Sequence, residues 1–186
     1  MPSDPAPPAG RYQAGDDPAA RLGAIVEGWL GDLGVPPGPP VVRDGVLAWD
    51  VVLDGRRRRD LPATLILDAG LGLIVWAHLA PPIGDAMRKT YRALLRWNDE
   101  FPFAKFSIAD DGRPILAVEI PARWLDADEL GLALARVVGI ADRVFDETRP
   151  WVWIGGRVPE GYAARECRTA ALIDRFAPRL PELFDQ

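Results

Sequence analysis

Hydrophobic positions recur along this chain with the periods of helices and strands. The first apolar stripe repeats every three to four residues and predicts a helix that ends near Leu33. Asp17 is predicted to be the N-cap of this helix, and Pro18 suits the first helical position. A strand is then predicted at about 46–53, where Leu47, Trp49, Val51 and Leu53 alternate onto one face, and two more strands are predicted at about 61–67 and 73–79. Because the turns between them are short, antiparallel pairing is expected.

The second half of the chain continues the pattern with helices and a hairpin. It predicts a second helix over about 83–100 and two strands, at about 103–108 and 115–120, joined by a turn containing Asp111-Gly112. A third helix begins after the cap residue Asp126 and is expected to end at Pro150. A short strand at 151–154 and a last helix over about 163–176 follow.

These elements predict an α+β fold in αβββαββα order, with helices packed against one antiparallel β-sheet of about five strands. Residues 1–16 are rich in Pro, Ala, Gly and Asp, and we expect a disordered tail. The folded domain is expected to span residues 17–147, and residues 148–186 to form a C-terminal extension with a helix.

Composition narrows the class of protein. The 186 residues are 48% hydrophobic and 26% charged, which suits one globular domain. The net charge of −5 is too mild to indicate a polyanion-binding protein. No apolar run reaches the roughly 18 residues that a membrane span needs. The N-terminus lacks the basic start and apolar stretch of a signal peptide, so we expect a cytoplasmic protein that does not contact membranes.

Residues for catalysis are scarce. His78 is the only histidine and Cys167 the only cysteine. The two could form a catalytic thiol dyad, although a lone cysteine on a helix is more often a buried side chain without a catalytic role. No Gly-x-Ser-x-Gly or paired-histidine motif occurs. The Gly70-Leu71-Gly72 stretch lacks a third glycine and precedes a strand, which argues against a dinucleotide site. We therefore expect a non-enzymatic protein without metal or cofactor.

Two basic features stand out. Arg56 to Arg59 occupy a predicted turn bracketed by Asp54 and Asp60, and a solvated turn is the favoured interpretation. In the second predicted helix, the spacing of Arg88, Arg92 and Arg96 places the three on one ridge. We call these three residues the arginine ridge. From Arg88 onward the helix carries no carboxylate until Asp99 and Glu100, so either neighbouring elements neutralise the ridge or it binds a partner.

The same helix has apolar residues on two stripes, one of which contains Ala86, Thr90, Ala93 and Trp97. Two stripes indicate two packing partners. The second partner is the first or third helix of the same chain, or the same helix of a second subunit. We favour a dimer contact here, and for the arginine ridge we predict a partner-binding surface shared with Trp76 of the third predicted strand.

Several stretches of the chain resemble the YbjN-like family of bacterial proteins, whose fold is that of class I type III secretion chaperones. The stretches that carry the resemblance are Ala93-Leu94-Leu95-Arg96-Trp97-Asn98, Phe103-Ala104-Lys105-Phe106, Asp111-Gly112, Leu125-Asp126-Ala127-Asp128-Glu129-Leu130 and Gly139-Ile140-Ala141-Asp142. The detailed match covers roughly residues 83–145, and the matching order of elements covers about 18–147. The resemblance implies a chaperone-like fold, a homodimer and binding of an extended partner segment, without enzymatic activity.

The sequence thus predicts a chaperone-like adaptor whose client is an extended, preferably acidic, segment of another protein. One alternative is a nucleic-acid-associated protein that contacts phosphates through the arginine ridge, which the acidic net charge argues against. A regulatory protein or an unrecognised enzyme is a second alternative.

Overall fold

The computed structural model describes residues 18–83 and 87–185, without the side chains of Pro18 and Met87. The predicted N-terminal tail, the predicted cap Asp17 and Ala86 of the predicted dimer stripe lie outside the described residues.

A single antiparallel sheet forms the centre of the described part of the chain, with the strand order β1-β2-β3-β4-β6-β5. Its strands are β1 Val41–Arg43, β2 Val46–Leu53, β3 Leu61–Asp68, β4 Gly72–His78, β5 Lys105–Ile108 and β6 Pro114–Pro121. The predicted α+β fold with an antiparallel sheet is confirmed. The sequence missed β1 because its three residues are all exposed and so show no alternation.

Helices cover one face and one edge of this sheet. They are α1 Pro18–Asp32, α2 Met87–Glu100, α3 Ala127–Arg143, α4 Phe145–Val152, α5 Ala170–Phe176 and α6 Pro181–Phe184. Short 3-10 helices span Ala122–Trp124, Ile154–Gly156 and Ala177–Arg179. As predicted, the carboxylate of Asp126 caps α3 by accepting the backbone N–H groups of Asp128 and Glu129, at 2.9 and 2.8 Å.

The sequence analysis predicted the end of the third helix at the wrong residue. The helix breaks at Val144, and a separate helix, α4, then runs through Pro150. A proline inside a helix removes one backbone hydrogen bond and crowds the carbonyl four residues before it, and α4 ends at Val152, two residues after Pro150. The strand expected at residues 151–154 is therefore absent, and the last long helix begins at Ala170 instead of near residue 163.

The two faces of the sheet differ in burial. The face that carries Trp49, Leu65 and Val75 is fully buried beneath the helices, and these side chains expose none of their surface. Alternate residues on the other face, including Ile66, Ile74 and Trp76, are only partly buried. One face of the sheet is thus the core of the molecule, and the opposite face is open.

The edge of the sheet at β5 is covered by α2. The side-chain amide of Asn98 accepts the N–H of Phe106 at 2.7 Å and donates to its carbonyl at 3.0 Å. These are the backbone groups of β5 that no further strand reaches. Asn98 thereby satisfies part of an edge that would otherwise be open to pairing with another chain.

Candidate functional site

The arginine ridge lies on the solvent side of α2, as predicted. Arg88, Arg92 and Arg96 are all exposed. Two large hydrophobic side chains accompany them: Tyr91 is 42% exposed and Leu95 is 70% exposed. Tyr91 and Leu95 thus add exposed apolar surface to the cationic side of α2.

The ridge is neutralised at one end only. Arg96 binds the carboxylate of Glu147 on α4 through its Nη2 atom, at 2.7 and 2.5 Å. This bond is the main cause that raises the pKa of Arg96 above its ordinary value. Arg88 and Arg92 form no ion pair within the part of the chain that the structure describes. A neighbouring element thus neutralises one arginine of the three, and partner binding by the ridge stays a prediction.

The predicted dimer stripe turns toward the interior of its own chain. Thr90 and Trp97 are each 1% exposed. The Trp97 ring packs against Phe106 and Trp151, at centroid distances of 5.3 and 5.6 Å. A side chain this buried has no surface left for a second copy, so Trp97 does not have the position expected of an intersubunit anchor. Ala93 is half-buried, and dimerisation itself stays a prediction.

Trp76 and the arginine ridge are not brought together. The ring of Trp97 packs on Phe106, so α2 lies against the side of the sheet to which Phe106 points. Phe106 pairs with Leu116, and Leu116 pairs with Ala77, which lies on the buried face. Because neighbouring residues of a strand point to opposite faces, Trp76 lies on the open face. The sheet therefore separates Trp76 from the helix that carries the ridge, and the joint patch expected from the sequence is not formed.

The loop of four arginines is not the solvated turn that we expected. Arg58 and Arg59 are only 6% and 8% exposed. The backbone N–H groups of Arg56, Arg57 and Arg58 converge on the carboxylate of Asp142, at distances of 2.6, 2.9 and 2.6 Å. Burial raises the pKa of Asp142, and these hydrogen bonds partly oppose that effect. The loop is a backbone cradle for one buried carboxylate from the end of α3.

Asp54 ties the start of this loop to the C-terminal part of the chain. Its carboxylate, 2% exposed, accepts hydrogen bonds from Arg168 Nε at 2.7 Å, Arg168 Nη2 at 2.8 Å and the N–H of Asp60 at 2.7 Å. Burial alone would raise the pKa of Asp54, but these bonds outweigh it and lower the pKa to about 2. The Thr169 hydroxyl donates to the backbone carbonyl of Asp54. We call Asp54, Asp60, Arg168 and Thr169 the clasp.

The C-terminal helices also occupy a groove of small residues on α3. The ring of Phe176 lies directly over Gly131, and the ring of Phe184 lies 2.9 Å from the point where a side chain at Gly139 would begin. Ala135, between the two glycines, is fully buried. Only small residues at these positions let the aromatic rings approach the helix backbone.

His78 and Cys167 are the two residues that the sequence analysis considered for catalysis. His78 and Cys167 line the same open cleft of about 840 Å³. The thiol of Cys167 donates to the backbone carbonyls of Asp54 and Gly55 at 3.4 and 3.6 Å, so its proton is directed to the clasp. Burial lowers the pKa of His78, with a smaller effect of nearby Arg113, and this favours the neutral ring.

The described residues contain no group of three or more His, Cys, Asp or Glu side chains able to hold a metal ion. Within the same ranges, no helix combines the length and the apolar character needed to cross a bilayer.

The fold defines a class of protein. A chain of the solved structure described as "Crystal Structure of the ExsC-ExsE Complex" superposes with a TM-score of 0.54 and 16% identity, over 75% of this chain and 99% of that chain. The chain therefore shares the fold of that chain, in agreement with the chaperone-like fold that the sequence resemblance implied. Residues 24–149 match the YbjN family, described as "Putative bacterial sensory transduction regulator", and the chain belongs to this family. No curated protein matches the chain.

Proposed function

We propose that the chain is a non-enzymatic, chaperone-like adaptor that binds an extended, acidic segment of a partner protein. The observation that carries the proposal is the outer face of α2, where Arg88 and Arg92 meet no described carboxylate and stand beside exposed Tyr91 and Leu95. Cations interspersed with apolar side chains suit a segment in which acidic and apolar residues alternate.

The relatives support this proposal. The similar fold belongs to a chain crystallised in a complex with another protein, and the family description refers to a regulator of signalling. A role in binding other proteins agrees with both. It also agrees with the scarcity of catalytic groups, since the cleft beside His78 holds a thiol that is already bonded to backbone carbonyls.

The experiment begins with a selection from a phage-displayed library of random 12-residue peptides against the wild-type protein. We expect enrichment of sequences that combine Asp or Glu with apolar residues. The affinity of the best synthetic peptide is then measured by fluorescence anisotropy at several salt concentrations. Replacing the arginine ridge by serine (R88S/R92S/R96S) should weaken binding and flatten its salt dependence, because charge-assisted contacts are screened by salt.

A matched control removes the same charge elsewhere. Arg43, Arg157 and Arg175 are exposed and lie away from α2, so R43S/R157S/R175S should leave the affinity within a factor of about two, as expected for screened distant charges. Equal affinity of the wild-type protein and the ridge variant would contradict the proposed role of the ridge. A selection without acidic enrichment would contradict the proposed function itself.

We further propose that the adaptor acts as a homodimer in the cytoplasm. The partly buried, open face of the sheet and the half-exposed outer side of α2 leave surface for a second copy. Light scattering at tens of micromolar should report twice the monomer mass, a concentration at which a stable dimer is populated by mass action. A monomer mass under these conditions would refute dimerisation and leave the binding proposal untouched.

A further inference from the structure

We propose that the chain has a binding site for a small organic anion with a planar ring, between residues 56–59 and the C-terminal extension. The site is a cavity of about 450 Å³, which we call the extension cavity. The residues of the arginine ridge lie outside its lining, so the site is independent of the proposed function. Its main lining residues are Arg58, Arg59, Trp153, Pro159, Glu160 and Tyr162.

Contacts with the rest of the fold hold the aromatic wall of the cavity in place. The Tyr162 hydroxyl accepts the backbone N–H of Arg59 at 2.7 Å and donates to the carbonyl of the same residue at 2.8 Å. The Trp153 ring meets the Tyr162 ring edge-on, with 5.0 Å between the ring centres. Both rings lie beyond residues 24–149, the part of the chain that matches the family. The extension thus supplies a preformed wall, which lowers the entropic cost of binding a ligand.

Two buried arginines carry positive charge into the cavity. Arg58 and Arg59 are each more than nine-tenths buried. The Arg59 Nε atom donates to the carbonyl of Arg165 at 3.3 Å, but its Nη1 atom is buried without a hydrogen-bond partner in the described part of the chain. Burial lowers the pKa of Arg58, and Tyr162 and Asp60 only partly oppose this effect. An oxygen of a carboxylate or phosphate would satisfy the Arg59 donor and compensate the buried charge of Arg58.

The lining of the cavity has an excess of one cation, since it contains three arginines and two carboxylates. Arg165 and Asp60 bind each other at the surface. Glu160 is exposed and forms no ion pair among the described residues, so water solvates it. Arg58 and Arg59 also lack an ion-pair partner there, but their side chains are withdrawn from water. Because charge interactions are strongest where water is excluded, the two buried arginines favour an anionic ligand.

The aromatic rings around the cavity already have cations of this chain as neighbours. The guanidinium groups of Arg57 and Arg58 lie 5.2 and 5.4 Å from the ring centres of Phe145 and Trp153, respectively. A cationic ligand would therefore meet like charge.

Apolar surface remains for a flat ring, because Trp153 is half-buried and Pro159 is exposed. A guanidinium binds a carboxylate or a phosphate through two parallel hydrogen bonds. Apolar walls with a few polar groups, around a volume of this order, are typical of small-molecule sites. The ligand is therefore a planar ring that carries one carboxylate or phosphate.

Isothermal titration calorimetry with the full-length protein tests the site. The probes are two aromatic carboxylates, benzoate and indole-3-acetate, and two nucleotides, AMP and GMP. Indole-3-acetamide and adenosine are the neutral controls. We expect at least one anion to bind with a dissociation constant below about 1 mM. The neutral controls should bind at least about tenfold more weakly, because they cannot form charge-assisted hydrogen bonds through a carboxylate or phosphate.

Two substitutions then locate the ligand. Arg59→Gln removes a buried charge and should weaken binding about tenfold or more, whereas R157Q removes an exposed charge outside the cavity and should change the affinity less than about twofold. Glu160→Gln removes the exposed carboxylate of the lining, so it should strengthen binding of the anion. No hydrogen bond or ion pair of Glu160 occurs among the described residues, so this variant should keep the melting temperature within a few degrees and provides a test even where R59Q does not fold.

Binding of either class of anion supports the site, and comparison of the two classes shows whether a carboxylate or a phosphate is preferred. Absence of binding by all four anions up to about 5 mM would overturn the site, as would equal affinity for the anions and their neutral controls. Full affinity in folded R59Q, or weaker binding in E160Q, would also overturn it. R88S/R92S/R96S should bind the anion like the wild-type protein, so failure of this site leaves the proposed function standing.

Discussion

Removal of the charge at the centre of the clasp is the most direct test of how the C-terminal extension is held. Asp54→Asn keeps the size of the side chain, but it replaces one acceptor oxygen by an amide group that faces the donors of Arg168. The two-point contact with the guanidinium, at 2.7 and 2.8 Å, is then lost. Because Arg168 is half exposed, water solvates the cation that remains.

The expected magnitude follows from the pKa of Asp54. A pKa lowered from 3.8 to about 2 means that the folded state prefers the ionised carboxyl by about 2 kcal/mol. We therefore expect D54N to reduce the free energy of unfolding at pH 7 by about 2 kcal/mol. The estimate is smaller than the 3–5 kcal/mol typical of a broken, fully buried ion pair, in keeping with the exposure of Arg168.

The pH dependence of stability gives an independent check with a definite sign. A carboxyl whose pKa is lower in the folded than in the unfolded state stabilises the fold at pH values above its ordinary pKa. This contribution is lost as the pH falls through 3.8 toward about 2. The stability difference between wild type and D54N should accordingly shrink over that range.

Urea unfolding followed by tryptophan fluorescence, at pH 7 and in steps down to pH 2.5, measures both quantities. Asp111→Asn is the control, because Asp111 binds Arg113 at the surface and outside the clasp, where an ion pair contributes little to stability. Equal stability of D54N and wild type at pH 7, or a difference between them that grows on acidification, would refute the assignment of the clasp.

Three further predictions concern local contacts. Asn98→Ala should cost about 1–2 kcal/mol in urea unfolding, because it leaves two backbone groups of the edge strand without their partner; an unchanged midpoint would contradict this role. Gly131→Ala should lower the stability of the fold despite the better helix propensity of alanine, because the added methyl group meets the ring of Phe176. Gly28→Ala, on the open surface of α1, should raise the stability by up to about 1 kcal/mol, and the same sign of change in both variants would contradict the packing. A chain lacking residues 1–16 should melt within a few degrees of the full chain, and a large drop would show that the segment contributes to the fold.

The sequence predicted the central elements well because their signals are local. Strand β2 was predicted at its observed bounds, Val46–Leu53, since large apolar residues recur at every second position between Gly45 and the Asp54-Gly55 turn. Asp126 was identified as a cap because capping depends only on the next three residues. The register that decides which face holds Trp76 depends on pairing between strands, and no pattern within one strand contains it.

The candidate site was harder to predict because it depends on distant contacts. The arginines at 88, 92 and 96 were found from helical spacing alone, but Glu147, which neutralises one of them, lies 51 residues further along the chain. The burial of Arg58 could not be inferred from a run of charges, since it arises from Asp142 and from the ring of Trp153 at 5.4 Å. The exposure of the Phe103 and Trp124 rings gave no sequence signal, because a pattern of residue types does not distinguish an exposed aromatic ring from a buried one.

The position of the clasp has a consequence for the order in which the chain can complete its structure during synthesis. The loop after β2 emerges early, yet Asp54 is bonded to Thr169, which is 115 residues away. Until those last residues have been made, Asp54 and Asp60 lack Arg168 and Thr169, and Gly131 and Gly139 on α3 lack the rings that cover them. Contacts of such large sequence separation form late and slow the folding of a domain. Ribosome-bound chains that stop before Thr169 should therefore be more sensitive to protease within residues 54–60 than the released protein.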